Sequence, residues 1–186
     1  MKKLTILFVS IFLSVGSAFA QQYKINRESD SPFSFSIRGV ELNEGSSLNR
    51  ESILLNDPNS PVQITSHSME ITYVDRGFRF GASTSISVDQ SITGLQLRTI
   101  QYDAFGQHIQ NLGNTEIKDF SPGNADVSAI WRAREAHISR FLTSVTYVAR
   151  IRLEDGTLWV YDEDELIAAL RSLNLEQIIG DDSDLE

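Results

Sequence analysis

The stretch Val145-Thr146-Tyr147-Val148-Ala149-Arg150-Ile151-Arg152-Leu153-Glu154-Asp155-Gly156-Thr157-Leu158-Trp159-Val160-Tyr161 alternates side chains on both sides of an Asp-Gly pair. A period of two places Val145, Tyr147, Ala149, Ile151 and Leu153 on one face of a strand and Thr146, Val148, Arg150, Arg152 and Glu154 on the other. Asp-Gly between two such runs is a strong hairpin signal, because a two-residue type I′ turn needs positive φ at both central positions. Such a turn sets Glu154 opposite Thr157, Leu153 opposite Leu158 and Ile151 opposite Val160. Arg152 then faces Trp159 and Arg150 faces Tyr161, a ladder that sets guanidinium groups over rings.

The chain on either side of this hairpin reads the same way. Downstream, Asp162 caps a helix with Glu165 placed for a capping box, and Leu166, Leu170 and Leu173 line one side of it. Upstream, Met69, Ile71 and Tyr73 alternate up to Asp75-Arg76-Gly77, and Phe78 to Val88 carry the alternation back. A strand from Ile92 to Tyr102 changes phase, which predicts a bulge near Arg98-Thr99. Asp103-Ala104-Phe105-Gly106 suits a type I turn, and Gln107 to Lys118 returns as a strand. Val127, Ala129, Trp131 and Ala133 fit a strand to about Arg134, although Ile130, Ala133, His137, Ile138 and Phe141 also fit a helical stripe. Earlier, Phe33, Phe35 and Ile37 alternate with polar neighbours, Leu42 to Asn49 reads as a loop, and Asn56 to Pro61 is a turn cluster. Many short strands with few helices predict a mainly β fold, an antiparallel β-sandwich over residues 33–175 with a short C-terminal helix.

The first 20 residues read differently. Lys2 and Lys3 precede the apolar run Leu4 to Val15, and Ala18-Phe19-Ala20 supplies small residues for cleavage after Ala20. This is the pattern of a secretory signal, too short to span a bilayer core of about 30 Å. Residues 21–32 form a polar segment expected to be flexible, and residues 176–186 an acidic tail. With no cysteine in its 186 residues the chain cannot be an acylated lipoprotein, and thiol catalysis is excluded. No second hydrophobic run follows the signal, so no membrane insertion is expected once it is removed. The expected location is periplasmic or extracellular. A formal charge of −9 repels phosphate backbones and argues against nucleic-acid binding.

Between Ile92 and Trp159 the order of features resembles the small immunoglobulin-like domains of exported bacterial proteins, including the FxLYD type. The resemblance rests on Tyr102-Asp103-Ala104-Phe105-Gly106, on Ser121-Pro122-Gly123 and on the hairpin from Tyr147 to Trp159. The chain departs from the FxLYD pattern at Thr99 and Gln101, where Phe and Leu would stand. The resemblance implies an immunoglobulin-like sandwich and a non-catalytic envelope module, and carries over no site residues.

Sites of chemistry are absent from the sequence pattern. His67, His108 and His137 are far apart and fall in no metal-ligand spacing, so no metal or cofactor is expected. Asp162-Glu163-Asp164-Glu165 lacks the glycine and the distal glutamate of a calcium loop, and helix capping accounts for it. Ser83 follows Gly81 by two residues, but Ser85 stands where the second glycine of a nucleophile elbow would be, and the run lies inside a strand. The candidate binding residues are therefore Arg150, Arg152, Trp159 and Tyr161, a composition favoured at interfaces; the same ladder would equally stiffen the hairpin or lie under the C-terminal helix. The expected function is binding to an envelope protein or polymer. A hydrolase with an unrecognised carboxylate pair and a carrier of a small apolar ligand are the alternatives.

Overall fold

The computed structural model describes residues 24–26, 34–37, 40–43, 47–75 and 77–177. The targeting segment with its cleavage after Ala20, and the acidic tail beyond Gln177, lie outside the described residues. The protein is mainly β, built on two sheets with few helices.

The first sheet runs in the order β1 (Lys24–Asn26), β4 (Ser47–Glu51), β6 (Val62–Val74), β7 (Gly77–Val88) and β10 (Gly123–Ala133), every neighbour antiparallel. Between β1 and β4 in the chain, β2 (Ser34–Ile37) and β3 (Val40–Asn43) pair with each other. Two sequence expectations change here. Lys24–Asn26 falls in the segment expected to be flexible but extends the sheet, and the expected loop Leu42 to Asn49 contains strand at both ends.

The second sheet runs β12 (Leu158–Val160), β11 (Thr143–Leu153), β8 (Ile92–Tyr102), β9 (His108–Glu116), and β5 (Ile53–Leu55) lies parallel to the N-terminal half of β11. The strand reading of Val127 to Arg134 holds as far as Ala133, and the helical stripe begins just beyond, in α1 (Glu135–Arg140), which buries Ile138.

One hydrophobic cluster joins Val62, Ile64, Ile86 and Val88 of the first sheet to Leu95, Leu97, Val148 and Ile151 of the second, so the sheets pack face to face. A second cluster centres on Met69, Ile71, Phe80, Ile138 and Phe141. Between them runs a row of buried polar residues. His67 Nδ1 lies 2.7 Å from Thr84 Oγ1, and Thr99 Oγ1 lies 2.9 Å from Thr146 Oγ1. Beside this row, Gln101 donates to Met69 Sδ and accepts from Gln110, whose own amide oxygen meets His137. Thr99, Thr146 and Gln101 are satisfied in this way, as buried polar groups usually are, whereas His67 Nε2 is buried with no hydrogen-bond partner among the described residues.

A third cluster lies on the far side of the second sheet. There α2 (Glu163–Ser172) sets Leu166 and Leu170 on Ile100, Tyr102, Val145, Tyr147 and Ala149. The Asp162 side chain caps this helix by accepting from Glu165 N–H at 3.0 Å. At its other end Asn174, at φ +56°, forms a Schellman closure: Asn174 N–H bonds Arg171 C=O and Leu175 N–H bonds Leu170 C=O, both at 3.0 Å. The closure turns Leu175 into the cluster and leaves Leu173, expected on the buried stripe, outside it. The β8–β9 turn then clasps the chain. Glu176 N–H bonds Gly106 C=O at 2.8 Å and Glu176 Oε2 accepts from His108 N–H at 2.8 Å. Gly106, at φ +74°, is required there, since a Cβ would sit 2.6 Å from Asn174 O.

The helix layer explains the phase change in β8, and corrects its expected cause. The register of β8 with β9 runs unbroken from Leu95 to Gln101, so Arg98-Thr99 is not a bulge. Both faces of the strand are buried beyond Arg98: Thr99 and Gln101 towards the first sheet, Ile100 and Tyr102 beneath α2. The bulge is in the partner strand, where Ala149 is inserted between Val148, opposite Leu97, and Arg150, opposite Gln96. Val145, Tyr147 and Ala149 consequently face the helix while Ile151 and Leu153 face the first sheet, so the five do not share one face.

Candidate binding face

The candidate site is built on the β11–β12 hairpin, and its loop differs from the expected one. Gly156 N–H bonds Leu153 C=O at 3.0 Å, and Leu153 N–H bonds Thr157 C=O at 2.9 Å. Gly156 has φ +88°, whereas Asp155 is not among the residues of positive φ. This is a three-residue loop of Glu154, Asp155 and Gly156, a turn closed by a left-handed glycine, and not a two-residue type I′ turn. Asp155 Oδ1 reinforces it by accepting from Thr157 N–H at 2.8 Å, and that bond holds the Asp155 carboxyl below its ordinary pKa.

One residue more in the loop slips the register by one, and every side chain of β12 changes face. Arg150 pairs with Val160, Ile151 with Trp159 and Arg152 with Leu158. The expected ladder of Arg152 on Trp159 and Arg150 on Tyr161 is therefore not formed. Trp159 turns inward and packs, half-buried, on the cluster that holds Ile151. Tyr161 packs beside the α2 layer, its ring 5.3 Å from that of Tyr147 and 6.1 Å from that of Trp159, both edge-on. Burial, followed by the nearby Asp57, Glu165 and Asp162 carboxylates, raises the Tyr161 pKa.

The two arginines stay outside, in different company. Arg150 and Arg152 share the outer face of the second sheet with Leu158 and Val160, each 52% exposed. Across the sheet Arg150 lies opposite Gln96, and Arg152 opposite Gly94. The Arg152 Cβ approaches within 3.4 Å of where a Gly94 Cβ would be, and its guanidinium donates to Gly156 C=O at 3.0 Å. One row further, Arg98 lies over Gly113. Three arginines and two aliphatic side chains thus occupy the half of this face beyond the helix, over a floor that Gly94 and Gly113 keep low. Leu158 and Val160 were missed from sequence because Asp-Gly is compatible with both loop lengths and only the longer one turns them outward. Arg98 was missed because its place depends on the β8–β11 register, which the sequence pattern does not show.

Elsewhere, a trough of about 590 Å³ crosses the outer face of the first sheet, floored by Gly81, Ser83, Ser68 and Ser128, with Ile130 and Glu70 on its sides. A smaller hollow of about 400 Å³ lies by Gln90, Ser91, Glu154 and Asp155. The histidines are spread over separate hydrogen bonds, His67 to Thr84, His108 to Asn111 and His137 to Gln110. Among the described residues no three His, Asp or Glu side chains come together, and no helix is long and apolar enough to cross a membrane. In comparisons with known proteins, no family model, no curated protein and no solved structure matches this chain.

Proposed function

We propose that this chain is an exported, non-catalytic binding module of the bacterial cell envelope. It holds an acidic polymer or protein surface on the open half of the second sheet. The observation that carries the reading is the gathering of Arg98, Arg150 and Arg152 with Leu158 and Val160 on one sheet face, in a chain whose formal charge is −9. Arginine beside exposed aliphatic surface supplies bidentate recognition of carboxylate or phosphate together with apolar contact area. Export rests on Lys2, Lys3, the run Leu4 to Val15 and Ala18-Phe19-Ala20.

We further propose an immunoglobulin-like topology, and strand connectivity supports it. Taking β6, β7 and β10 as strands A, B and E, and β8, β9, β11 and β12 as C, C′, F and G, the B–E, C–F, C–C′ and F–G pairings all follow. The binding face then lies on the C–F–G sheet.

The test is co-sedimentation of the processed protein with an insoluble envelope fraction, comparing wild type with Arg150→Glu/Arg152→Glu at two salt concentrations. The expected result is a salt-sensitive association that the double variant weakens by at least about tenfold. Equal recovery of both proteins would remove this face from the function.

A further inference from the structure

Among the described residues, strand β10 is an eleven-residue strand at the edge of its sheet, and two of the devices that usually protect such an edge, proline and bulge, are missing from it. No proline interrupts Gly123–Ala133, and its register with β7 runs through eleven consecutive pairs without a bulge. The direction of its free backbone groups follows from the sheet. Asp89 N–H bonds Pro61 C=O at 2.9 Å, so the odd-numbered residues of β7 bond towards β6 and the even-numbered ones towards β10. Val88, Ile86, Thr84, Ala82 and Phe80 therefore bond Gly123, Ala125, Val127, Ala129 and Trp131. Asn124, Asp126, Ser128, Ile130 and Arg132 are left with their N–H and C=O groups aimed away from the sheet, and their side chains are exposed.

The charge pattern along this edge complements itself. Arg132 stands opposite Arg79 of β7, a like-charged cross-strand neighbour, and forms no ion pair with the described residues. Asp126 lies six positions earlier on the same outer face, holding Ser85 Oγ at 2.7 Å. If two β10 strands meet antiparallel about a two-fold axis through Ala129, Asp126 of each copy falls opposite Arg132 of the other, twice over. Ser128 then faces Ile130, and the two Ile130 side chains, each 72% exposed, become diagonal neighbours beside the axis. In this register the outward even-numbered residues meet one another, as antiparallel hydrogen bonding requires.

We propose that the occupant of this edge is a second copy of the chain, joined β10 to β10 in that register, so that the two first sheets become one continuous sheet of ten strands. The surface is distinct from the arginine face, which lies on the other sheet, and a two-fold dimer would present that face twice.

The test uses the full processed protein. Ala129 sits at a non-hydrogen-bonded position on the proposed axis, where Cα atoms approach to about 4.5 Å, within disulfide range. In a chain with no cysteine of its own, Ala129→Cys is expected to give a covalent dimer on mild oxidation, while Asp164→Cys on α2 stays monomeric. By sedimentation equilibrium, Asp126→Arg and Arg132→Asp should each weaken the dimer by about tenfold or more, and the double swap should restore it. Ser128→Pro, which removes an outward N–H that β7 does not use, should give a folded monomer. A wild-type protein that stays monomeric, or a dimer indifferent to the charge swaps and to Ser128→Pro, would overturn the proposal.

Discussion

Leu153 and Gly156 are joined across the last hairpin by a single backbone hydrogen bond of 3.0 Å, with Gly156 held at φ +88°. That bond sets the loop at three residues and decides which side chains of β12 face the core. The loop surroundings leave open space where a Gly156 Cβ would go, so Gly156→Ala costs only the left-handed conformation. A loss of about 1–2 kcal/mol is expected in urea denaturation, and Gly156→Asn should lose less. Unchanged stability would show that the loop closes in another way.

The slipped register separates packing from binding within the four residues first singled out. Trp159→Ala should cost about 2 kcal/mol, because Trp159 packs on the Ile151 cluster. Arg150→Ala and Arg152→Ala should each stay within about 0.5 kcal/mol of wild type. Thermal denaturation of the three variants checks the split; comparable destabilisation by all three would contradict the assigned faces.

His67 gives the fold a pH dependence. The residue is 9% exposed, and burial lowers its pKa from 6.5 to about 4. The unfolded chain therefore takes up a proton near pH 6.5 that the native state refuses until about pH 4. Stability is fully present above that window and falls as pH drops through it, by about 3 kcal/mol in total. Denaturation from pH 7.5 to 4 should show this slope in wild type and a shallower one in His67→Gln. Parallel slopes would sink the assignment.

Thr99 and Thr146 satisfy each other between the sheets, both almost wholly buried. Either Thr99→Val or Thr146→Val strands the other hydroxyl in the core, at about 1–3 kcal/mol. The double variant, which removes both partners, should recover most of that loss. A double-mutant cycle reads the coupling directly; simple additivity would mean that each hydroxyl has another partner.

On α2, Leu170 is 0% exposed and Leu173 37%. Leu170→Ala should cost about 2–4 kcal/mol and Leu173→Ala well under 1. Helical periodicity alone treats the two alike, so this comparison tests the Schellman closure at Asn174.

Periodicity was sufficient where a strand has one buried face and one exposed. The second half of β6 from Met69, strand β7 and the limits of β8 follow from alternation and turn residues, whereas the first half of β6, from Val62 and with a register shift between Ile64 and Ser66, was missed. It misled where a third layer buries the second face. The break after Leu97 in β8 reflects α2 covering Ile100 and Tyr102, and no strand-level pattern distinguishes that from a bulge. Conversely, the unbroken alternation from Val145 to Leu153 hides the extra residue at Ala149, since a small side chain fits either arrangement. The binding face failed for a related reason. Its arginines were legible as exposed, but their neighbours depend on a loop length that Asp-Gly does not specify.

The clasp at Glu176 also bears on tension. A pull on the backbone past Gln177 reaches the Gly106–Glu176 and His108–Glu176 bonds before it can peel Leu166 or Leu170 from the sheet. Those bonds are seated on the tight reversal between the two strands at that end, so the load passes straight into the sheet ladder. The C-terminal exit behaves as a mechanical anchor, and traction there should leave the helix docked until the anchor gives way.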